Sequence, residues 1–194
     1  MSPRLIQLAD YAEPHAGTFV PMLREAVSLV RSRGWEAEAI FTPLAVDQPW
    51  LDDLRRDANP VRFAATGARP DLAAIVEDAL DESEEPTLLH TNFTDFDLPA
   101  LEAARRRDRT AVIWHLHTPF GRGLKQALRN AAKFALARRG VSRVICPSPE
   151  IARSARMRGL PRNKLVVVPA QIEPDRQRWD EVVLGVYEQA LSGD

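Results

Sequence analysis

The feature that most constrains the fold of this chain is the alternation of short apolar runs with amphipathic segments along its whole length. Several runs are apolar at successive positions, which is typical of strands in a parallel sheet that helices cover on both faces. The alternation predicts an α/β fold with one Rossmann-like, doubly wound parallel sheet of about seven strands. The predicted strands lie at 4–9, 36–41, 61–65, 86–91, 110–116, 142–147 and 164–169. The predicted helices lie at 17–34, 46–57, 69–83, 98–107, 123–140, 149–159 and 179–191.

Composition sets the class of protein and its compartment. The 194 residues are 45% hydrophobic and 27% charged, with a net charge of −1, a balance typical of a globular domain with a sizeable core. This charge gives no indication of nucleic-acid binding. Cys146 is the only cysteine, so an intrachain disulfide is excluded and a cytoplasmic location is predicted. No stretch approaches the roughly 18 apolar residues that span a bilayer.

Charge is distributed unevenly along the chain. Residues 71–102 contain ten acidic residues and no Lys or Arg, whereas residues 122–164 contain twelve Lys or Arg and one acid. Two interpretations stay open: solvated faces of opposite sign, or a basic surface for an anionic partner such as a pyrophosphate or an acidic lipid headgroup. Lys125, Arg129 and Lys133 form a basic stripe on the helix predicted at 123–140. The stripe is either solvated or a weak membrane-surface contact.

Ligands of doubly wound sheets bind at the carboxyl ends of the strands, so the residues there are the candidates for a site. Gly17 opens the first helix, whose backbone N–H groups can approach a phosphate. His90 lies at the end of the predicted fourth strand and Asn92 follows it, and His115 and His117 face one side of the fifth. No Cys, Asp or Glu cluster with a ligand spacing accompanies these histidines, so no metal site is predicted.

Other polar residues at strand ends favour structural roles. Asp95 and Asp97 are a carboxylate pair that suits acid–base or metal chemistry, but N-capping of the helix that follows them is the favoured interpretation. Ser148 is a predicted N-cap as well, because no G-x-S-x-G surrounds it. The G-x-G-x-x-G and P-loop fingerprints are missing from the sequence.

Four stretches, taken in order, resemble the N-terminal half of family-4 glycosyltransferases of the GT-B architecture. They are "AGTFVPMLREAVSLVRSRGWEAEAI", "PTLLHTNF", "VIWHLHTPFG" and "SRVICPSPEIARSARMRGLPRNKLVVVPAQIE". The resemblance covers about residues 4–173. Three departures stand out: Ala16–Gly17 replaces a paired glycine, Asn92 replaces the second histidine of "HTH", and "AQIE" replaces "NGID".

The resemblance implies a function and a set of site residues. The family transfers a sugar from a nucleotide-sugar donor to an acceptor, usually with retention of anomeric configuration and without a metal or other cofactor. Its N-terminal half mainly shapes the acceptor site. By resemblance His117 lies near the transferred sugar and is the candidate catalytic residue, and Gly17 lies near the donor pyrophosphate. The implied substrate-binding residues are Gly17, His90, Asn92, His115 and Thr118.

The resemblance breaks off after residue 173. There the family continues into a second Rossmann-like domain that binds the nucleotide sugar, whereas here "DRQRWDEVVLGVYEQAL" (175–191) follows at once. This stretch resembles the family's last helix, which crosses back onto the N-terminal domain. The predicted organisation is therefore an N-terminal domain over 1–173 and a crossover helix over 174–194. We expect the isolated chain to be inactive unless a donor domain acts in trans.

Two other functions remain open at this level. The first is a single-domain binding module that holds a small anionic ligand, such as a phosphate or a nucleotide sugar, through Gly17 and the basic helix. The second is a one-domain hydrolase or isomerase that uses His115 or His117, although no nucleophile is recognisable.

Overall fold

The computed structural model describes residues 2–58, 60–117, 124–169 and 175–193. Strands and helices alternate through these ranges, with short 3-10 turns at Pro43–Ala45 and Arg162–Lys164. The strands are β1 (Arg4–Ala9), β2 (Glu36–Phe41), β3 (Val61–Phe63), β4 (Thr87–Asn92), β5 (Thr110–His115), β6 (Arg143–Cys146) and β7 (Leu165–Val167). The helices are α1 (Phe19–Ser32), α2 (Leu51–Asp57), α3 (Arg69–Asp81), α4 (Asp97–Ala104), α5 (Leu124–Gly140), α6 (Pro149–Met157) and α7 (Arg176–Ser192).

The strands form one parallel sheet in the order β3-β2-β1-β4-β5-β6-β7, which confirms the predicted doubly wound α/β fold. The first three strands are added outward from β1 to β3. The polypeptide then crosses to the other side of β1, where β4 to β7 follow in order. The strand order therefore reverses between β1 and β4, which creates a topological switch point at their carboxyl ends. Strand register sets Asn92 beside Ala9 on one side and His115 on the other.

Helices cover both faces of the sheet, as the apolar strands predicted. Helices α1, α2 and α7 pack on one face, which we call the α7 face, around buried residues such as Leu5 and Ile113. Helices α3, α4, α5 and α6 pack on the other, the α5 face, around residues such as Ile6 and Val112. Because successive strand side chains point to opposite faces, the central strands β1, β4 and β5 contribute to both cores.

Helix α7 packs back onto the sheet, as its apolar stripe predicted. It begins after Asp175, whose carboxylate accepts a hydrogen bond from the Arg178 backbone N–H at 3.2 Å. The Trp179 indole N–H donates to the Pro169 carbonyl at 3.1 Å, so the start of the helix is held against the end of the strand region. Its buried side chains are Trp179, Val183, Leu184, Val186, Tyr187 and Ala190.

Some predicted boundaries shift for local reasons. The helix predicted at 46–57 begins only at Leu51, because a 3-10 turn at Pro43–Ala45 and a further turn occupy the preceding residues. The strand predicted at 61–65 ends at Phe63. The chain turns there towards α3, and the Thr66 hydroxyl accepts a hydrogen bond from the Ala68 N–H at 3.0 Å. Such side-chain bonds to the backbone compete with continued pairing in the sheet.

Candidate functional site

The switch point between β1 and β4 gathers several of the predicted site residues. Gly17 lies in the loop that joins β1 to α1, Asn92 ends β4, and His117 lies two residues beyond β5. Their elements meet at one edge of the sheet because all three strands run in the same direction. His90 and His115 belong to the same strands, but their side chains lie inside the molecule. Thr118 lies outside the described residues.

Gly17 occupies a position that disfavours any other residue. Its φ of +51° lies in the left-handed region, and a Cβ atom would stand 3.0 Å from the Tyr11 hydroxyl oxygen. The residue precedes α1, whose N-cap residue Thr18 makes no side-chain capping hydrogen bond. The positive end of the α1 dipole is thus directed at the switch point.

Aromatic rings connect the Gly17 loop to His117. The Phe93 ring stacks on the His117 imidazole at 4.3 Å between centroids and on the Tyr11 ring at 5.5 Å. Phe19 contacts both Phe93 and His117 edge-on, at 5.0 and 5.5 Å. Phe93 has a φ of 70°, a conformation that is uncommon for a bulky residue and that marks functional sites in many folds.

His117 is held by the end of β4. Its Nε2 atom lies 3.0 Å from the Asn92 Oδ1 atom. Burial lowers the pKa of His117 from 6.5 to about 4, so the imidazole is neutral near pH 7. A neutral imidazole can donate one hydrogen bond and accept another, which suits contact with a sugar hydroxyl.

His90 and His115 are interior residues beneath α7. Only 4% and 2% of their surfaces are exposed, and their rings stack at 5.5 Å between centroids. Burial lowers the pKa of His90 to about 3 and the pKa of His115 well below 6.5, and His117 lowers both further. The two rings and Tyr187 line a cavity of about 10 Å³, which is close to the room that one water needs. They support the site from inside and lie out of reach of a large ligand.

The family profile described as "Glycosyltransferase Family 4" matches residues 24–176, more than half of the chain. The chain belongs to glycosyltransferase family 4. No curated protein sequence matches it. The matched range runs from α1 to the first residue of α7 and contains Asn92 and His117.

Solved structures share the fold at low sequence identity. Anabaena Alr3699/HepE in complex with UDP is 19% identical, with a TM-score of 0.66 over 86% of this chain and 44% of that one. The apo lipopolysaccharide outer core galactosyltransferase WaaB is 12% identical, with a TM-score of 0.64 over 86% and 45%. UDP-GlcNAc 2-epimerase from Neisseria meningitidis, bound to UDP-GlcNAc, is 14% identical, with a TM-score of 0.60 over 86% and 46%. The family-4 chain thus spans less than half the length of these proteins.

The family-4 site contains a carboxylate pair that the sequence analysis did not single out. Asp10 directly follows β1 and is hydrogen-bonded to Asp95, which follows β4. Burial raises the pKa of Asp10, and the neighbouring charge of Asp95 raises it further. The Thr42 hydroxyl donates to Asp10 at 3.2 Å. The rule that ligands bind beyond strand ends points to Asp10, because it is the first residue after β1.

Asp97 has a different place from the predicted one. The N-cap of α4 is Phe96, without a side-chain capping bond, so neither Asp95 nor Asp97 caps this helix as expected. Asp97 is instead buried on the α5 face, where it accepts a hydrogen bond from Thr91 and pairs with Lys133. At the start of α4, Asp97 therefore forms this buried ion pair instead of a capping hydrogen bond. The Ser148 cap was predicted correctly, since its hydroxyl accepts from the Ile151 N–H at 3.4 Å.

Lys133, the last residue of the predicted basic stripe, does not extend that stripe over the helix surface. Its ammonium group pairs with Asp97 and lies 5.1 Å from the centre of the Trp114 ring, so it is directed towards the α5 face. The side chains of Lys125 and Arg129 lie outside the described residues. In the parts of the chain that the structure describes, no helix is long and apolar enough to cross a membrane. In the same parts, no group of three or more His, Cys, Asp or Glu residues is arranged to hold a metal ion.

Proposed function

We propose that this family-4 chain forms the acceptor-side half of a sugar-transfer cleft, and that a second domain holds the nucleotide-sugar donor. The observation that carries the proposal is the cluster at the switch point. There the N-terminus of α1, the aromatic rings around Phe93, and the polar groups of His117 and the Asp10–Asp95 pair face one edge of the sheet. Structures with the same fold contain UDP, UDP-glucose and UDP-GlcNAc, which supports a nucleotide sugar as the donor class.

In the proposed reaction an acceptor hydroxyl oxygen bonds to the anomeric carbon of the donor sugar. The bond from that carbon to the diphosphate breaks, the nucleoside diphosphate leaves, and the hydroxyl proton is released. The α1 N-terminus at Gly17 faces the departing diphosphate, where the helix dipole stabilises negative charge. His117 binds the transferred sugar, and Thr118 lies next to it in sequence. Retention of anomeric configuration and independence from metal belong to the same proposal.

The carboxylate pair suits acceptor binding. The carboxylate oxygens of Asp10 and Asp95 can accept hydrogen bonds from the hydroxyl groups of a sugar. The rings of Tyr11 and Phe93 stack on each other and belong to the loops that carry Asp10 and Asp95. The interior His90 and His115 keep these residues in place rather than contact substrate.

The proposal divides the chain into an N-terminal domain at 1–173 and a crossover helix at 174–194. It predicts that the purified 194-residue chain transfers no sugar by itself and gains activity when a donor domain is supplied in trans. We also propose a cytoplasmic location, which suits its single thiol, Cys146, buried in the core.

A titration followed by NMR tests the proposal. We expect UDP-glucose and short oligosaccharides to shift the amide signals of residues 10–18 and 91–97 and the imidazole signals of His117. Turnover of UDP-glucose by the chain alone would contradict the predicted inactivity. An absence of shifts with every sugar nucleotide and glycan would contradict the binding site itself.

Two glycine variants provide a matched control for that titration. Gly17 and Gly34 both have positive φ, at +51° and +79°, so Ala causes a similar backbone strain of about 1 kcal/mol at each. Only at Gly17 does the added Cβ meet a neighbour, the Tyr11 hydroxyl. We expect G17A to weaken the UDP-glucose shifts and G34A to leave them as in the wild type. Equal loss in both variants would remove Gly17 from the proposed site.

The start of α1, which lacks a side-chain cap, favours a second function, a module that binds a small anion without catalysis. The same titration separates the two. Shifts caused equally by inorganic phosphate and by UDP-glucose, with none from glycans, would favour the module. The hydrolase or isomerase hypothesis loses His115 as a candidate, because that side chain is 2% exposed.

A further inference from the structure

We propose that Tyr187 of α7 is a positioning residue for His117, and that it acts through a hydrogen-bond chain formed by Gln7 and Asn92. The inference rests on the proposed function only in giving His117 a role at the site. The chain joins four parts of the fold: the crossover helix α7, the central strands β1 and β4, and the segment after β5.

The contacts are continuous from the helix to the site. The Gln7 Nε2 group donates to the Tyr187 hydroxyl at 3.4 Å, and the Asn92 Nδ2 group donates to Gln7 Oε1 at 2.9 Å. Asn92 Oδ1 then lies 3.0 Å from His117 Nε2. The Tyr187 hydroxyl also lies 2.8 Å from His90 Nδ1. Gln7 and Asn92 thus each direct the NH₂ group of the side-chain amide at one neighbour in the hydrogen-bond chain and the amide oxygen at the other.

Two contacts set the direction of the hydrogen-bond chain: one at a backbone carbonyl beside Asn92, and one at the Tyr187 hydroxyl, which accepts from Gln7. The Asn92 amide nitrogen lies 3.4 Å from the His90 carbonyl, which can only accept a hydrogen bond. The NH₂ end of Asn92 is therefore directed at that carbonyl and at Gln7, and its oxygen is directed at His117. Gln7 must then accept from Asn92 and donate to Tyr187, which in turn donates its proton to His90 Nδ1. An imidazole that faces the Asn92 oxygen must carry its proton on Nε2.

Burial strengthens the preference for these donor and acceptor directions. Gln7 and Asn92 are each 1% exposed and Tyr187 is fully buried, so water does not compete for their hydrogen bonds. A reversed amide would set like groups against each other in the interior, where unpaired polar groups are costly. The chain therefore holds His117 as the Nε2–H tautomer, with the lone pair on Nδ1. The docking of α7 and the protonation pattern of the site are coupled through Tyr187.

The test measures the imidazole tautomers by long-range ¹H–¹⁵N correlation at pH 7 on the full chain. In the wild type we expect His117 and His90 each as the Nε2–H form. Tyr187→Phe keeps the ring and removes the hydroxyl that Gln7 and His90 use. Because about one buried hydrogen bond is lost, we expect the ratio of the two His117 tautomers to shift about fivefold towards Nδ1–H.

Trp179→Phe is the matched control on the same helix. It removes the indole bond to Pro169 and leaves the chain from Tyr187 to His117 intact. We expect no change in the His117 tautomers in this variant. A shift of equal size in both variants would overturn the proposal, because general loosening of α7 would then explain the effect. An unchanged His117 ratio in Tyr187→Phe would also overturn it.

A second variant breaks the hydrogen-bond chain at Gln7, so that the test still applies if Tyr187→Phe misfolds. Gln7→Met has similar size and no hydrogen-bonding amide, and it should shift the His117 ratio by at least as much as Tyr187→Phe. The readout does not depend on catalysis. A tautomer shift without any change in sugar binding would support the positioning role and contradict the proposed role of His117. Wild-type tautomers in both variants would overturn the positioning role alone.

Discussion

The two faces of the sheet bury different chemistry although the same strands supply both. On the α7 face the central strands present Gln7, His90, Asn92 and His115, which are neutral polar side chains within a core otherwise made of apolar ones. On the α5 face the same strands present mainly apolar residues, and buried polar contacts there include two charged ones, the Asp97–Lys133 pair and the Arg4–Glu38 pair. Neutral, directional groups therefore lie on the face that α7 covers.

The difference separates two uses of buried polarity. A chain of neutral amides and imidazoles transmits direction, because each member both donates and accepts. An ion pair holds two elements together but carries no such direction. The α7 face ends at His117 and the switch point, whereas the Asp97–Lys133 pair joins α4 to α5. The buried polar groups of the α7 face therefore support the site, and those of the α5 face hold helices together.

The largest effect is expected from breaking the Asp97–Lys133 contact on the α5 face. Asp97→Ala leaves the Lys133 ammonium, with only 18% of its side chain exposed, without its carboxylate partner. We expect the free energy of unfolding in urea to fall by about 3 kcal/mol. The double variant Asp97→Ala with Lys133→Met removes both charges and should recover most of that loss. A loss in the double variant equal to the sum of the single losses would contradict the pairing.

Much of this architecture was predictable from periodicity. The strand and helix order, the parallel sheet and the docking of α7 all followed from apolar spacing, because burial on two faces leaves a direct record in the sequence. The Trp179, Val183 and Tyr187 stripe of α7 is one example, and each of these side chains is buried. Short local motifs were also predictable, as the Ser148 cap shows.

The partners of buried polar residues were not predictable in the same way. Asp97 was expected to cap α4, yet it reaches Lys133, 36 positions further along the chain, by a contact that no local pattern encodes. His90 and Asn92 look like surface ligands in the sequence because they are polar and end a strand. Their partners Tyr187 and Gln7 are distant in sequence: the pairing of β1 with β4 brings Gln7 to Asn92, and the packing of α7 brings Tyr187 to His90 and Gln7.

Acid should weaken the α7 face through its histidines. The folded-state pKa of His90 is about 3, against 6.5 in the unfolded chain, so the unfolded chain binds more protons between these values. The free energy of unfolding therefore falls as pH falls below 6.5. For His90 alone we expect a loss of about 2 kcal/mol between pH 6.5 and 5, from 1.36 kcal/mol per pH unit.

Two variants isolate that contribution. His90→Gln removes the titrating ring, so the fall in unfolding free energy between pH 6.5 and 5 should be about 2 kcal/mol smaller than in the wild type. His15→Gln, which replaces an exposed histidine, is the matched control for removing an imidazole. If His90→Gln shows the wild-type pH dependence, His90 is accessible to protons in the folded state, and the α7 face is looser than its burial indicates.

The smallest effect tests what the two faces have in common. Each has a helix with a side-chain N-cap: Ser148 for α6 on the α5 face and Asp175 for α7 on the other. We expect S148A and D175A each to lower the unfolding free energy by about 1 kcal/mol, because a cap acts on the first turn alone. S32A is the control, since the Ser32 hydroxyl donates to Leu29 within α1 and is exposed, and its effect should stay within about 0.5 kcal/mol. If D175A lowers the unfolding free energy several times more than S148A, the docking of the whole helix α7 depends on its first turn. The contrast between the faces would then extend from their cores to the ends of their helices.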